Sequence, residues 1–323
     1  MNFPPRTPQT GSAVRAALLL ATAVLLASIL PGCGTPPVES PDRLQVTASF
    51  FPMYDFARKI AGDRADVTMM VPAGSEPHSW EPTAADIARM ERADVFVYSG
   101  AGMEHWVDDV LGTLSNDTLT VVEASAGIAL RESGDSHAED KDTDGDHEAY
   151  DPHVWLSPPN AKVQMANIRD ALIGADPEGT KTYNSNYEKW ATEADRLDAD
   201  FRAALAPYVG RRIVVAHEAF GYLCGAYGLV QIPVEGLTPD SEPDPARIAE
   251  VIRLVRENGI QVIFFEETAS DKVAKTIAAE TGARVGVLDP AAAVSADRIA
   301  AGEDWFSIQR DNLEAIAASF GDS

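Results

Sequence analysis

The sequence predicts an α/β protein built on largely parallel sheets, and three observations carry that prediction. Short β-branched and aromatic runs alternate with longer stretches of helical apolar spacing. The alternation runs twice, before and after one long polar-amphipathic stretch. The composition, 45% hydrophobic and 24% charged over 323 residues, supports a packed core in one large domain or two ordinary ones.

Taken in order, Leu44–Phe51 (LQVTASFF) is apolar and β-rich and predicts the first strand. Met53–Gly62 has helical spacing and ends on a glycine suited to a C-cap. Val67–Val71 is a second strand, broken by Pro72-Ala73-Gly74-Ser75. Pro82–Arg92 follows as a helix and Asp94–Ser99 as a buried-type strand. Trp106–Leu114 is helical and Val121-Val122 short and β-like. Pro159–Ile173 is a helix introduced by Ser157 and paired prolines. The long stretch, roughly Glu178 to Ala206, has no proline and no glycine after Gly179. Tyr183, Tyr187, Trp190, Leu197 and Phe201 recur along it at helical spacing. At 1.5 Å per residue it would reach about 40 Å, the length of a two-lobed molecule. The second round then reads Arg212–Ala216 strand, Tyr227–Val234 β-like, Pro245–Asn258 helix with Gly259 past its end, Val262–Phe265 strand, Asp271–Gly282 helix, Val285–Leu288 strand and Trp305–Phe320 helix.

The amino-terminal residues read as a targeting signal. Arg6 and Arg15 form a positive region, and Ala16–Leu30 an apolar one too short to span a bilayer comfortably. Leu30-Pro31-Gly32-Cys33 resembles the lipobox of bacterial lipoproteins, which makes Cys33 the expected lipidation site and membrane anchor. The expected organisation is a signal peptide over 1–32, a linker over 33–43, a first lobe over 44–175, a backbone helix over 176–208 and a second lobe over 209–323. Cys224 is the only other cysteine, so no intramolecular disulfide is expected. It reads as buried filler, with a metal-ligand role as the alternative. A net charge of −24 and a pI near 4.5 argue against nucleic-acid binding and suit a body that draws in cations.

From Arg131 to Asp151 the chain reads RESGDSHAEDKDTDGDHEAYD, with nine carboxylates, His137 and His147, and almost nothing apolar. No globular core needs such a segment, and it delivers His153 onto residues that can pack, Trp155 and Leu156. Three readings stand: a low-affinity zinc collector using His137 and His147, a solvated linker, or a calcium loop. The calcium loop would place Asp140, Asp142, Asp144, Gly145 and Asp151 on EF-hand positions.

Of six histidines, His78, His153 and His217 each sit where a strand or the insert ends, displayed rather than buried in a strand. Three neutral imidazoles from separate loops suit Zn²⁺, with water, Glu76 or Asp289 in the fourth position. The spacing itself is not a local zinc signature. His105 reads as a residue of the cleft rim or surface.

The ordered set PAGSEPHSWEP (72–82), DPHVWLSP (151–158), HEAFGYLCGAYGL (217–229), LTPDSEPD (237–244), FFE (264–266) and LDP (288–290) resembles the metal-receptor lipoproteins of bacterial zinc and manganese ABC importers. The resemblance runs from about Gln45 to Phe320. It implies two Rossmann-like α/β lobes joined by one rigid backbone helix, with metal in the cleft between them. It implies His78 and His153 as ligands from the first lobe, His217 from the second, and Asp289 at the acidic position. In zinc members the residue before the first histidine also approaches the metal; here that residue is Pro77, and Glu76 is the nearest carboxylate. Manganese-type members carry Glu where this chain has His217, and Mn²⁺ prefers oxygen, so Zn²⁺ is the expected cargo with Mn²⁺ or Fe²⁺ behind. The implied partners are a membrane permease and its cytoplasmic ATPase, with the receptor itself a monomer that performs no catalysis. The competing readings are a zinc hydrolase with Glu218 or Glu76 as base, and a surface adhesin.

Overall fold

A computed structural model describes residue 1 and residues 43–132, 150–239, 244–266 and 271–321. Cys33, the apolar segment before it, His137 and His147 lie outside the described residues. From residue 43 onward the described residues form one compact unit.

Two four-stranded parallel sheets organise that unit. The first contains β1 (Leu44–Ala48), β2 (Ala65–Met69), β3 (Val95–Tyr98) and β4 (Thr120–Glu123) in the order β2-β1-β3-β4. The second contains β5 (Arg212–Val215), β6 (Val230–Pro233), β7 (Val262–Phe265) and β8 (Arg284–Val287) in the same relative order, β6-β5-β7-β8. The α/β class with parallel sheets is therefore as the alternation predicts. In each lobe the winding direction reverses beside the first strand, between β1 and β3 and between β5 and β7. Loops leaving the carboxyl ends of those strands diverge there and open a crevice.

Strand side chains alternate between faces, and each face has its own apolar partner. Val46, Ala48, Val95 and Val97 join the main core, whereas Phe96 packs with Met90, Trp106 and Val107 on the opposite face. In the second sheet Ile213, Val215, Val262 and Phe264 face the main core, and Val214 and Ile263 face a separate cluster with Val251 and Ile277. The main core thus runs through both lobes.

The helices are α1 (Phe51–Ala61), α2 (Ala84–Met90), α3 (Val107–Leu111), α4 (Pro158–Ala175), α5 (Thr180–Leu205), α6 (Gly221–Tyr227), α7 (Pro245–Asn258), α8 (Lys272–Thr281), α9 (Ala296–Ala300) and α10 (Trp305–Phe320). The long helix is α5, whose 26 residues give about 39 Å. It starts at Thr180 because Pro177–Gly179 forms a preceding 3-10 turn, with the Asp176 carboxylate accepting the Gly179 N–H. It packs on α1 and α4 in the first lobe and on α6 and α10 in the second. Tyr183, Leu197, Phe201 and Leu205 are its buried stripe.

Three local expectations need correction. The first strand stops at Ala48, and Phe51 opens α1 with Pro52 in its first turn instead of closing the strand. Tyr227 and Gly228 belong to no strand: Tyr227 ends α6, and Gly228 caps it in the left-handed conformation, φ 72°. The strand is confined to Val230–Pro233. The predicted Trp106–Leu114 helix is shorter, Val107–Leu111, because Gly112 and the residues after it turn away toward β4.

Candidate metal centre

Three histidines arrive from three loops at the crevice. His78 lies in the irregular segment after β2, His153 just before the 3-10 turn that leads into α4, and His217 two residues past β5. His153 and His217 are buried and His78 is partly exposed. The Nε2 of His153 is 3.1 Å from the Nε2 of His78 and 3.2 Å from the Nε2 of His217. One ligand atom from each ring falls within 4.8 Å of the others, and no other group of three or more metal-ligating side chains is this close among the described residues.

The far nitrogens explain the orientation. His153 Nδ1 is 3.0 Å from Asp151 Oδ1, which also accepts the His153 backbone N–H at 3.0 Å. His217 Nδ1 pairs with Glu266 Oε1. A carboxylate at Nδ1 fixes the proton there and turns the Nε2 lone pair outward. Glu266 reaches His217 because β5 and β7 are neighbours, so residues just past their ends stand side by side. Asp151 reaches His153 across a single proline, and so serves the imidazole, whereas the calcium-loop alternative makes it a final calcium ligand. Lone pairs facing one another at 3.1–3.2 Å repel unless a positive charge lies among them. Two nitrogens held about 2.0–2.1 Å from one tetrahedral ion stand about 3.3 Å apart, close to the observed spacing.

The electrostatics split the three rings. Burial pushes the pKa values of His78 and His153 well below the ordinary imidazole value, and the neighbouring histidines push the same way. Burial also acts to lower His217, but the Glu266 carboxylate, with Glu76 and Glu235 behind it, outweighs it and the value ends raised. Burial lifts the Asp151 carboxyl to about 7, against its bond to the His153 N–H and the charge of Arg131.

The other predicted residues are placed as follows. Glu76 Oε1 accepts the His78 backbone N–H at 3.1 Å, which folds the loop around that ligand. Asp289 stands outside the three-histidine group. Its Oδ1 accepts the Ala291 N–H at 2.7 Å, and its Oδ2 lies 2.8 Å from Arg298 Nη2. The next carbonyl, of Pro290, accepts the indole N–H of Trp155 at 2.7 Å and joins the two lobes beside His153. Cys224 is buried outside the group, its thiol pushed up to about 12 by burial. His105 pairs with Glu81 at 2.7 Å on the rim. Sequence reasoning did not assign the supporting roles of Asp151 and Glu266. The signals for them are the Asp-Pro-His spacing and the position of Glu266 at the end of a strand.

Comparison with known proteins identifies the family. Residues 46–319 match the family described as "ZnuA: Zinc-uptake complex component A periplasmic". The chain is 38% identical over 285 residues to the zinc-binding protein AdcA of Streptococcus pyogenes, covering 85% of this chain and 55% of that protein, so it spans about half the relative's length. It is 38% identical over 280 residues to the high-affinity zinc uptake system protein ZnuA of Bacillus subtilis, covering 86% and 88% of the two chains. Among solved structures, the Zn(II)-bound ZnuA-like domain of Streptococcus pneumoniae AdcA superposes with a TM-score of 0.74 at 34% identity, over 86% of this chain and 98% of that one. The laminin-binding protein Lmb of Streptococcus agalactiae, titled a bifunctional protein with adhesin and metal transporting activity, superposes at 0.76 with 30% identity, over 86% and 100%. With the match running almost from the first strand to the last helix, the chain belongs to the ZnuA family of zinc-uptake components.

Proposed function

We propose that this protein is an extracytoplasmic receptor that captures Zn²⁺ between its lobes and hands it to an ABC permease driven by a cytoplasmic ATPase. The single observation that supports it most is the convergence of three imidazole Nε2 atoms, two of them backed by carboxylates. His78, His153 and His217 are the proposed ligands. Neutral nitrogen donors favour Zn²⁺ over the harder Mn²⁺. Asp289 is the proposed fourth ligand, to be drawn from Arg298 when metal enters, and Glu76 a supporting residue of the loop that carries His78. Cys33 is the proposed lipid attachment that keeps the receptor at the membrane, and His137 and His147 the proposed collectors on the acidic segment. The chain acts as a monomer and binds without turnover.

The ligands come from both halves of the chain, so occupancy joins the lobes and release requires them to separate or shift. The partly exposed His78 gives the ion its first contact, and the buried His153 and His217 complete the shell. The test is removal of the central ligand. His153→Ala should weaken zinc binding by about 100-fold or more while the circular dichroism spectrum stays that of the parent. Competition against a chromogenic chelator measures it, and an unchanged zinc affinity would reject the assignment.

A further inference from the structure

The carboxylate that supports His153 belongs to a short piece of chain that leans on the opposite lobe. Asp151 is buried, and its Oδ2 lies 3.8 Å from Arg131 Nε. The Asp151 N–H donates to the Arg131 carbonyl at 2.9 Å, and the adjoining residues Glu132 and Tyr150 form an antiparallel bridge. Residues 131–132 and 150–151 are therefore a paired root, set between β4 and His153.

That root docks on Tyr222, in α6 of the second lobe. The Arg131 backbone N–H donates to the Tyr222 hydroxyl at 3.0 Å, and the same hydroxyl donates to the Asp151 carbonyl at 3.0 Å. The single donor of the phenol and one of its acceptor positions are thus both used on the root's backbone. The Arg131 guanidinium lies 5.9 Å from the centre of the Tyr222 ring. The preceding residue must be glycine for the fit to hold: a Cβ on Gly221 would come within 2.4 Å of Asp151 Oδ2 and 2.9 Å of Arg131 Nε.

We infer that Tyr222 is a positioning residue for the metal, acting from the second lobe through Asp151 on His153 in the first. The inference rests on the zinc-receptor reading above. His217 and Tyr222 are five residues apart and move with the same lobe. Parting the lobes therefore removes one ligand directly and takes the brace from a second in the same movement. Release becomes steeper than the loss of His217 alone would make it.

Tyr222→Phe keeps the ring against Arg131 and deletes both hydrogen bonds. Zinc release from the full chain, followed by stopped flow into excess chelator, should become about tenfold faster, the usual scale for losing a group that orients a ligand. The metal-free melting temperature should move little. In an Asp151→Asn background the same substitution should add nothing further, because its route to the metal is already cut. A release rate unchanged from the parent, or the full tenfold effect persisting in the Asp151→Asn background, overturns the inference. A parent protein that fails to bind zinc overturns the receptor reading instead. Gly221→Ala presses on the same carboxylate without touching the hydroxyl, and should speed release in the same direction; if it does not, the path through Asp151 is wrong.

Discussion

A proton and a zinc ion compete for one nitrogen, the Nε2 of His217. Burial alone would strip that ring of its proton, yet the Glu266 carboxylate at Nδ1 holds the pKa above the ordinary imidazole value. His78 and His153 are driven the other way, chiefly by burial, and are neutral at the same pH. Below the raised His217 value, then, zinc uptake must expel about one proton, and apparent affinity should climb about tenfold per pH unit. Above that value the slope should flatten. Protonation of the Asp151 carboxyl, which burial lifts to about 7, weakens the support of His153 and adds to the fall, and the other two rings add theirs only below their depressed values. Calorimetric titration in buffers of different ionisation enthalpy counts the protons. Glu266→Gln keeps an acceptor at Nδ1 but removes the charge, so the break in slope should move to lower pH. The same proton count at neutral pH in parent and Glu266→Gln would remove Glu266 from this role.

At the scale of elements, the two sheets use the same crevice differently. Past β5 and β7 the second lobe pairs His217 with Glu266, whereas past β1 and β3 the first lobe places a carboxylate with no imidazole. Glu104 there is buried and accepts from the Ser49 hydroxyl at 2.6 Å, the Ser99 N–H at 2.8 Å and the Gly100 N–H at 3.0 Å. It staples the ends of neighbouring strands and fixes the tight turn in which Gly100, Ala101 and Gly102 all have positive φ. Glu104→Ala leaves three donors without their acceptor, at about 3 kcal/mol. The expected melting temperature falls by about 10 °C, measured calorimetrically, and a change within error would show that water replaces the carboxylate freely. Elements with strong end signals were readable from sequence: α7, β7 and α10 occupy the predicted residues. Gly259 in the left-handed conformation closes α7, and the capping box of Asp304 and Ser307 opens α10. Helix α6 was not readable, since Gly221 and Gly225 weaken its propensity, and it is held by tertiary contacts: the burial of Tyr222, Leu223, Cys224 and Tyr227 and the hydrogen bonds of the two tyrosine hydroxyls. The three histidines could be singled out because each sits in a loop that follows a strand or the insert. Asp151, Glu266 and Tyr222 could not be assigned their roles, because those depend on which strands are neighbours and on how one lobe docks on the other.

At the scale of the whole molecule, a further contact between lobes is built on a cation. Lys59 on α1 lies 2.7 Å from Asp55 and 2.9 Å from Asp304, the residue that caps α10. Its ammonium also sits 4.7 Å from the ring of Trp190 on α5 and 5.8 Å from that of Phe306 on α10. One side chain therefore touches the first lobe, the long helix and the closing helix of the second lobe. Asp55 completes the joint by accepting the Trp305 backbone N–H at 3.1 Å. Burial raises the Asp55 pKa even against the pull of Lys59, so the carboxylate depends on that cation to stay charged. Removing the cation leaves the buried Asp55 carboxylate without its counter-charge, beside the partly exposed carboxylate of Asp304. Lys59→Met should cost about 3 kcal/mol, the scale for an orphaned buried charge. Asp55→Asn in that background removes the stranded charge, keeps an acceptor for Trp305 and should recover a large part of the loss. Chemical denaturation of the parent, the two single variants and the double variant measures the coupling. Zinc adds the decisive comparison. If the joint serves only folding, Lys59→Met lowers stability equally with and without metal and leaves zinc release unchanged. If it also holds the lobes in register for His78, His153 and His217, release accelerates as well, and the stability gained on zinc binding shrinks by the matching factor. The continuity of the main core through both lobes favours the second outcome, because the joint is packed into the same cluster as Trp155, two residues from His153. Equal release rates in Lys59→Met and the parent would confine the joint to folding.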